Sequence, residues 1–145
     1  MNGGSLDQSS KLYAFEEAFF PTRGMNLLEL HEIVAYVDNV WKRLSLKGTP
    51  PKVYDGRGSP NARACADTIH IPKWGRNHVI VVHELAHCLC ERLDVDHHGH
   101  GPDFTHVYFS LIARLQVHHL PYQDIVNAAG AYGVLVADIG FLWVM

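Results

Sequence analysis

Between Val79 and Leu89 the chain reads VIVVHELAHCL, an apolar stretch broken by two histidines and a glutamate. A helix that is apolar on nearly every side belongs in a core. His83, Glu84 and His87 are costly to place there unless something satisfies them. Their spacing, H-E-x-x-H, supplies a means. On a helix, positions i and i+4 lie one turn apart on one face, so two imidazoles can converge on one ion. Glu84 follows the first histidine and can reach a water at that ion without joining its ligands. That is the placement a general base needs. The chain holds 11 histidines in 145 residues. A shuffle of this composition produces the pattern about 0.03 times, so histidine abundance does not account for it.

A catalytic zinc takes three protein ligands and keeps a fourth position for water. The third ligand must come from downstream, where His97, His98, His100 and His106 stand, with Asp124 and Asp138 as acidic alternatives. The metzincin spacing would place a histidine at position 93; the residue there is Leu93, which excludes that class. His100 is favoured. It precedes Gly101-Pro102, a turn that sends the chain back into the next helix, and glycine permits an unusual φ at the bend. His97 and His98 read as exposed loop residues and His106 as a solvent-facing helix residue. His70 reads as a sheet-face residue. His118 and His119 read as helix-end surface, favoured near the negative end of the dipole.

The rest of the chain frames this motif. Residues 1–11 are polar and read as a disordered leader, leaving 12–145 as one domain. The segment LYAFEEAFF fits a short helix or a strand. From Asn26, apolar residues at 27, 30, 34, 37, 41 and 44, with Ile33 and Val40 beside them, predict an amphipathic helix ended by Gly48 and Pro50-Pro51. Short β-prone pieces at 53–54, 62–66 and 68–71 predict a small antiparallel sheet ending before Pro72. A helix over 77–93, a polar loop, a helix opening at Pro102 and a last helix over 122–131 complete an α+β domain. The tail VLVADIGFLWVM is too short to span a bilayer and reads as a buried strand or an oligomer contact. A formal charge of −3 and pI of about 6.4 offer no basic stripe, so no strong autonomous nucleic-acid binding is expected. Three cysteines give no disulfide framework and read as small buried residues in a reducing compartment. With no apolar signal core at the N-terminus, a cytoplasmic chain is expected.

HELAH, twelve further residues and then HGPDF resemble the SprT-like zinc metallopeptidases. The glycine-bearing turn, ARACA and TIHIP before the motif are similar to that family's hairpin leading into the active-site helix. The chain most resembles a group of small actinobacterial and phage metallohydrolases that share HELAH…HGPxF. The likeness covers about residues 53–115. It implies a small zincin-like domain, Zn2+ held by His83, His87 and His100, and Glu84 as the catalytic base. The chain carries neither the paired cysteines of the zinc ribbon that follows the core in SprT itself nor the tails of the Spartan branch. The likeness therefore extends to the core chemistry and not to DNA–protein crosslink repair.

The leading expectation is a zinc-dependent peptidase acting on a peptide or protein substrate, which the edge of the small sheet could align by strand addition. Its oxyanion stabiliser would come from Tyr108, Tyr122, Tyr132, Arg63 or His70. The alternatives are an amidase or deacetylase acting on a non-protein amide, and a regulatory zinc protease or binding module of the ImmA type. The last usually takes an acidic third ligand, which HGPDF argues against.

Overall fold

The computed structural model describes residues 7–20 and 27–140. The fold is α+β, and the described residues form five α-helices and a three-stranded sheet. Helix α3 (His78–Arg92) opens where Asn77 accepts a hydrogen bond from the Ile80 N–H at 2.9 Å, the side-chain cap that a helix start needs. Val81 to Ala86, Cys88, Leu89 and Cys90 are all buried. Its partner is α4 (Pro102–Arg114), which Pro102 starts at a position where no backbone donor is lost. Phe104 to Ile112 are buried without interruption. The two helices therefore form the centre of a single apolar cluster.

Helix α2 (Leu30–Arg43) starts at a reciprocal capping box between Glu29 and Glu32. It packs Ile33, Val37, Val40 and Trp41 inward, while Leu27 and Val34 of the expected stripe are exposed. The chain offered more apolar residues than one helix face can bury, and the 33/37/40/44 row went inside. Helix α5 (Tyr122–Gly130) closes the other side through Ile125 and Ala129.

The sheet is mixed rather than antiparallel. Strand β1 (Lys52–Asp55) runs parallel to β3 (Thr68–Ile71), and β2 (Arg63–Ala64) pairs antiparallel with the far side of β3. The chain reverses after β1 and again between β2 and β3, and two reversals restore the original direction. Pairing β3 with both neighbours puts Ile69 and Ile71 into the core. Gly56 sits where a Cβ would lie 2.6 Å from the Pro72 backbone nitrogen, which fixes the close approach of the β1 end to the β3 end.

LYAFEEAFF lies in helix α1 (Ser9–Phe19), which buries Leu12, Phe15 and Glu16. The expected leader over 1–11 overlaps this helix. Ser9, Ser10 and Lys11 are helical, and Gln8 is 2% exposed. The Gln8 side chain donates to the Leu135 carbonyl and accepts from the Leu135 N–H, both at 2.9 Å. Its amide thereby takes the place of a strand partner. Residues 1–6 lie outside the described residues. So do 141–145 of the apolar tail. Residues 134–140 form no strand; the Gln8 amide and the Thr105 hydroxyl hold the Leu135 backbone, and the Ala137 N–H donates to the Pro102 carbonyl. Of the three cysteines, Cys88 and Cys90 are buried as expected, but Cys65 is exposed at the end of the short strand β2. Among the described residues no helix is long and apolar enough to cross a membrane.

Candidate metal centre

His83 and His87 point from one face of α3, and His100 meets them from a tight turn over His98–His100. Two residues of that turn, Gly99 (φ 63°) and His100 (φ 51°), occupy the left-handed region. For histidine this conformation is strained, so the surroundings must hold it. The Gln8 N–H donates to the Gly99 carbonyl at 2.8 Å, and a Cβ on Gly99 would stand 2.8 Å from the Asp7 Cα. The start of α1 is therefore pressed onto the turn that presents His100.

The three Nε2 atoms converge. His100 Nε2 lies 3.1 Å from His83 Nε2 and 3.2 Å from His87 Nε2. All three donor atoms fall within 4.8 Å of one another. Nitrogen ligands at about 2.0–2.1 Å in a tetrahedron stand about 3.3 Å apart, close to the separations found. The three histidines lie close enough to bind one metal ion. Among the described residues neither Asp124 nor Asp138 joins the group.

Each imidazole is oriented through its other nitrogen, as metal-ligating histidines are. His83 Nδ1 donates to the Glu16 carboxylate at 2.7 Å, and the same oxygen accepts from the Tyr108 hydroxyl at 2.6 Å. A carboxylate cannot donate, so Nδ1 carries a proton, and in the neutral ring Nε2 keeps its lone pair. His97 Nε2 donates to Glu91 at 3.2 Å, and His97 Nδ1 lies 2.8 Å from His87 Nδ1. In a neutral His97 the Nδ1 must then accept, so His87 donates from Nδ1 and its Nε2 lone pair also faces the centre. His100 Nδ1 pairs with the Ser9 hydroxyl at 2.8 Å. With all three rings neutral and protonated at Nδ1, three Nε2 lone pairs face one another, and this donor set fits a metal ion.

Electrostatics agree. Burial, reinforced by the neighbouring His83 charge, holds His87 far below the usual imidazole range and brings His100 down to about 4. Both stay neutral and available as ligands near pH 7. Burial opposes the charged form of His83, but the Glu16 carboxylate outweighs it and raises that pKa in the metal-free chain. Glu84, 6% exposed, is raised chiefly by burial, with Glu16 adding to the effect.

His97 is not the loop ornament expected from the sequence; it orients His87, whereas His98 is exposed. Replacing His97 by alanine should weaken metal affinity by roughly 10–100-fold, while His98→Ala should leave it unchanged. Competition with a chromophoric chelator measures both, and equal affinities in the two variants would contradict the assignment. His106 is also corrected: it is buried and shares a 2.8 Å hydrogen bond with the Tyr122 hydroxyl. His118 packs its ring on Phe19 and Phe20 in the turn after α4, and His70 stacks on Tyr54.

Sequence reasoning missed the contribution of α1. Ser9, Tyr13 and Glu16 fall at i, i+4 and i+7 and therefore share a helix face. All three touch the histidines of the cluster. The spacing was visible, but it became a signal only once the segment was known to be helical. No protein-family model matches the chain, and no curated protein or solved structure matches it significantly.

Proposed function

We propose that the chain is a zinc-dependent hydrolase, most specifically a peptidase, with His83, His87 and His100 as the metal ligands and Glu84 as the general base. The observation that carries this reading is the convergence of three oriented imidazoles beside a buried glutamate that is not one of them. Three ligands leave an open position, as catalytic sites do and four-ligand structural sites do not. The resemblance of HELAH…HGPDF to SprT-like peptidases supports a peptide substrate. When bound, zinc lowers the pKa of water to about 7 and polarises a carbonyl.

The side chains do the rest. Glu84 takes the proton of the attacking water. Its raised pKa brings it nearer to neutrality, where a base can both accept that proton and later release it. The proton then goes to the departing amine. Glu16, Ser9 and His97 hold the three imidazole rings in place, so no reorganisation is needed during the reaction.

Replacement of Glu84 by glutamine tests the reading. Metal content should match the wild type, while cleavage of a fluorogenic peptide library falls about a hundredfold or more. Wild-type cleavage by Glu84→Gln would remove the assigned base. A wild-type protein that cleaves small acylated amines but no peptide would instead establish the amidase alternative.

A further inference from the structure

We infer that the Tyr13 phenol is a catalytic residue, the hydrogen-bond donor to the carbonyl oxygen that becomes an oxyanion at this centre. The inference rests on the hydrolase reading above and adds the group that reading lacks.

Tyr13 projects from α1 with its hydroxyl 3.5 Å from His100 Nε2, one of the three converging donor atoms. Its ring lies edge-on to His100 at 5.2 Å and stacks above His83 at 6.3 Å with an interplanar angle of 19°. The phenol oxygen therefore stands beside the face where a substrate carbonyl would meet the cluster. At 3.5 Å the contact with the imidazole is long for a hydrogen bond, so the O–H is not committed to it. The residue is 51% exposed, which leaves it open to an incoming substrate. It is also set on a helix whose neighbours Ser9 and Glu16 are tied to the same site.

Among the described residues, none of the groups expected from the sequence hydrogen-bonds the three histidines directly, and the Tyr108 hydroxyl is linked to them only through Glu16. Tyr108 is fully buried and donates to Glu16, and the Tyr122 hydroxyl pairs with His106. The Tyr132 ring packs against Phe15. Arg63 and His70 face each other across β2 and β3, and His70 stacks on Tyr54.

The chemistry balances with one water. The water oxygen bonds to the carbonyl carbon as Glu84 takes its proton, and the carbonyl π pair moves onto oxygen. Tyr13, a phenol protonated at neutral pH, donates to that oxygen without giving up its proton. The pair returns as the C–N bond breaks, and the amine leaves with the proton Glu84 held. Such a donor acts only where charge develops, so it affects kcat more than KM.

Tyr13→Phe keeps the ring and removes the donor. In the cobalt-substituted protein, titration with acetohydroxamate followed by visible absorption reads binding of an anionic oxygen ligand without any substrate. Acetohydroxamate affinity should fall about tenfold or more. Metal affinity should stay within about threefold, and kcat on the best library peptide should fall about tenfold to a hundredfold with KM little changed. Unchanged acetohydroxamate affinity and kcat, beside an inactive Glu84→Gln, overturn the Tyr13 role alone. A large fall in metal affinity makes the phenol a ligand and overturns the donor role. A Glu84→Gln variant as active as wild type, or a wild-type chain that takes up no metal, removes the hydrolase reading and this inference together.

Discussion

Replacing His100 by alanine is expected to lower metal affinity by about two to three orders of magnitude. Four-ligand zinc sites in small domains bind with about 10–16 kcal/mol, or roughly 2.5–4 kcal/mol for each ligand. His100 is the one member of the cluster that α3 does not carry. Without it, two imidazoles on a single helix face remain, and the convergence at 3.1 and 3.2 Å is gone. Alanine keeps the left-handed backbone, φ 51°, that histidine already holds, and L-residues with a Cβ adopt it at a cost of about 1–2 kcal/mol. His100→Asn separates the two effects, because asparagine tolerates that region far better. Both variants should lose tight metal binding by chelator competition, and the asparagine variant should melt at a higher temperature than the alanine variant. Stoichiometric metal at wild-type affinity in both would place the third ligand elsewhere. It would return the acidic-ligand alternative, with Asp124 and Asp138 as its candidates.

The elements that present the ligands were the ones most legible from sequence. Asn77 before an apolar run and Gly101-Pro102 after a polar loop are local signals, and local physics decides helix ends. They located α3 and α4 closely, and they singled out His100 from four downstream histidines. What remained hidden depends on contacts distant along the chain. The direction of β1 against β3 follows from two reversals and from which edge β2 occupies, and no residue of β1 encodes that. His106 is buried because α5 brings Tyr122 onto it, 16 positions later. His97 looked redundant beside His98. Its role exists only because the end of α3 places His87 Nδ1 on one side of its ring and Glu91 on the other. Gln8 and Ser9, polar residues near the N-terminus, looked solvated until the turn at Gly99 and the backbone of Leu135 were seen to need them.

Glu16 carries the other large expected effect. It is a carboxylate in the core, 67 residues from His83 and 92 from Tyr108, and it holds both. Removing one partner of a buried pair leaves the other unsatisfied, which typically costs about 3–5 kcal/mol. Glu16→Ala should therefore lower the melting temperature of the metal-free protein by about 10 °C, given roughly 2–4 °C per kcal/mol in a domain of this size. It should also weaken metal binding by roughly 10–100-fold, because the His83 ring loses the acceptor that orients it. Glu16→Gln keeps one acceptor oxygen, replaces the other by an amide NH2 and loses the charge, so it should fall between the alanine variant and wild type. The pH dependence separates charge from packing. Burial opposes ionisation of Glu16, yet His83 and the Tyr108 hydroxyl bring its folded pKa below the ordinary 4.5, while Glu16 lifts His83 above 6.5. The lowered carboxyl stabilises fully above its unfolded pKa and is lost as pH falls through the folded value. The raised imidazole stabilises fully below its unfolded pKa and is lost as pH rises through the folded value. The charge contribution is therefore complete between about pH 4.5 and 6.5 and declines on either side. The gap in melting temperature between metal-free wild type and Glu16→Gln should be widest in that window. A gap that stays constant from pH 4 to 9 would assign the whole effect to packing and hydrogen bonding.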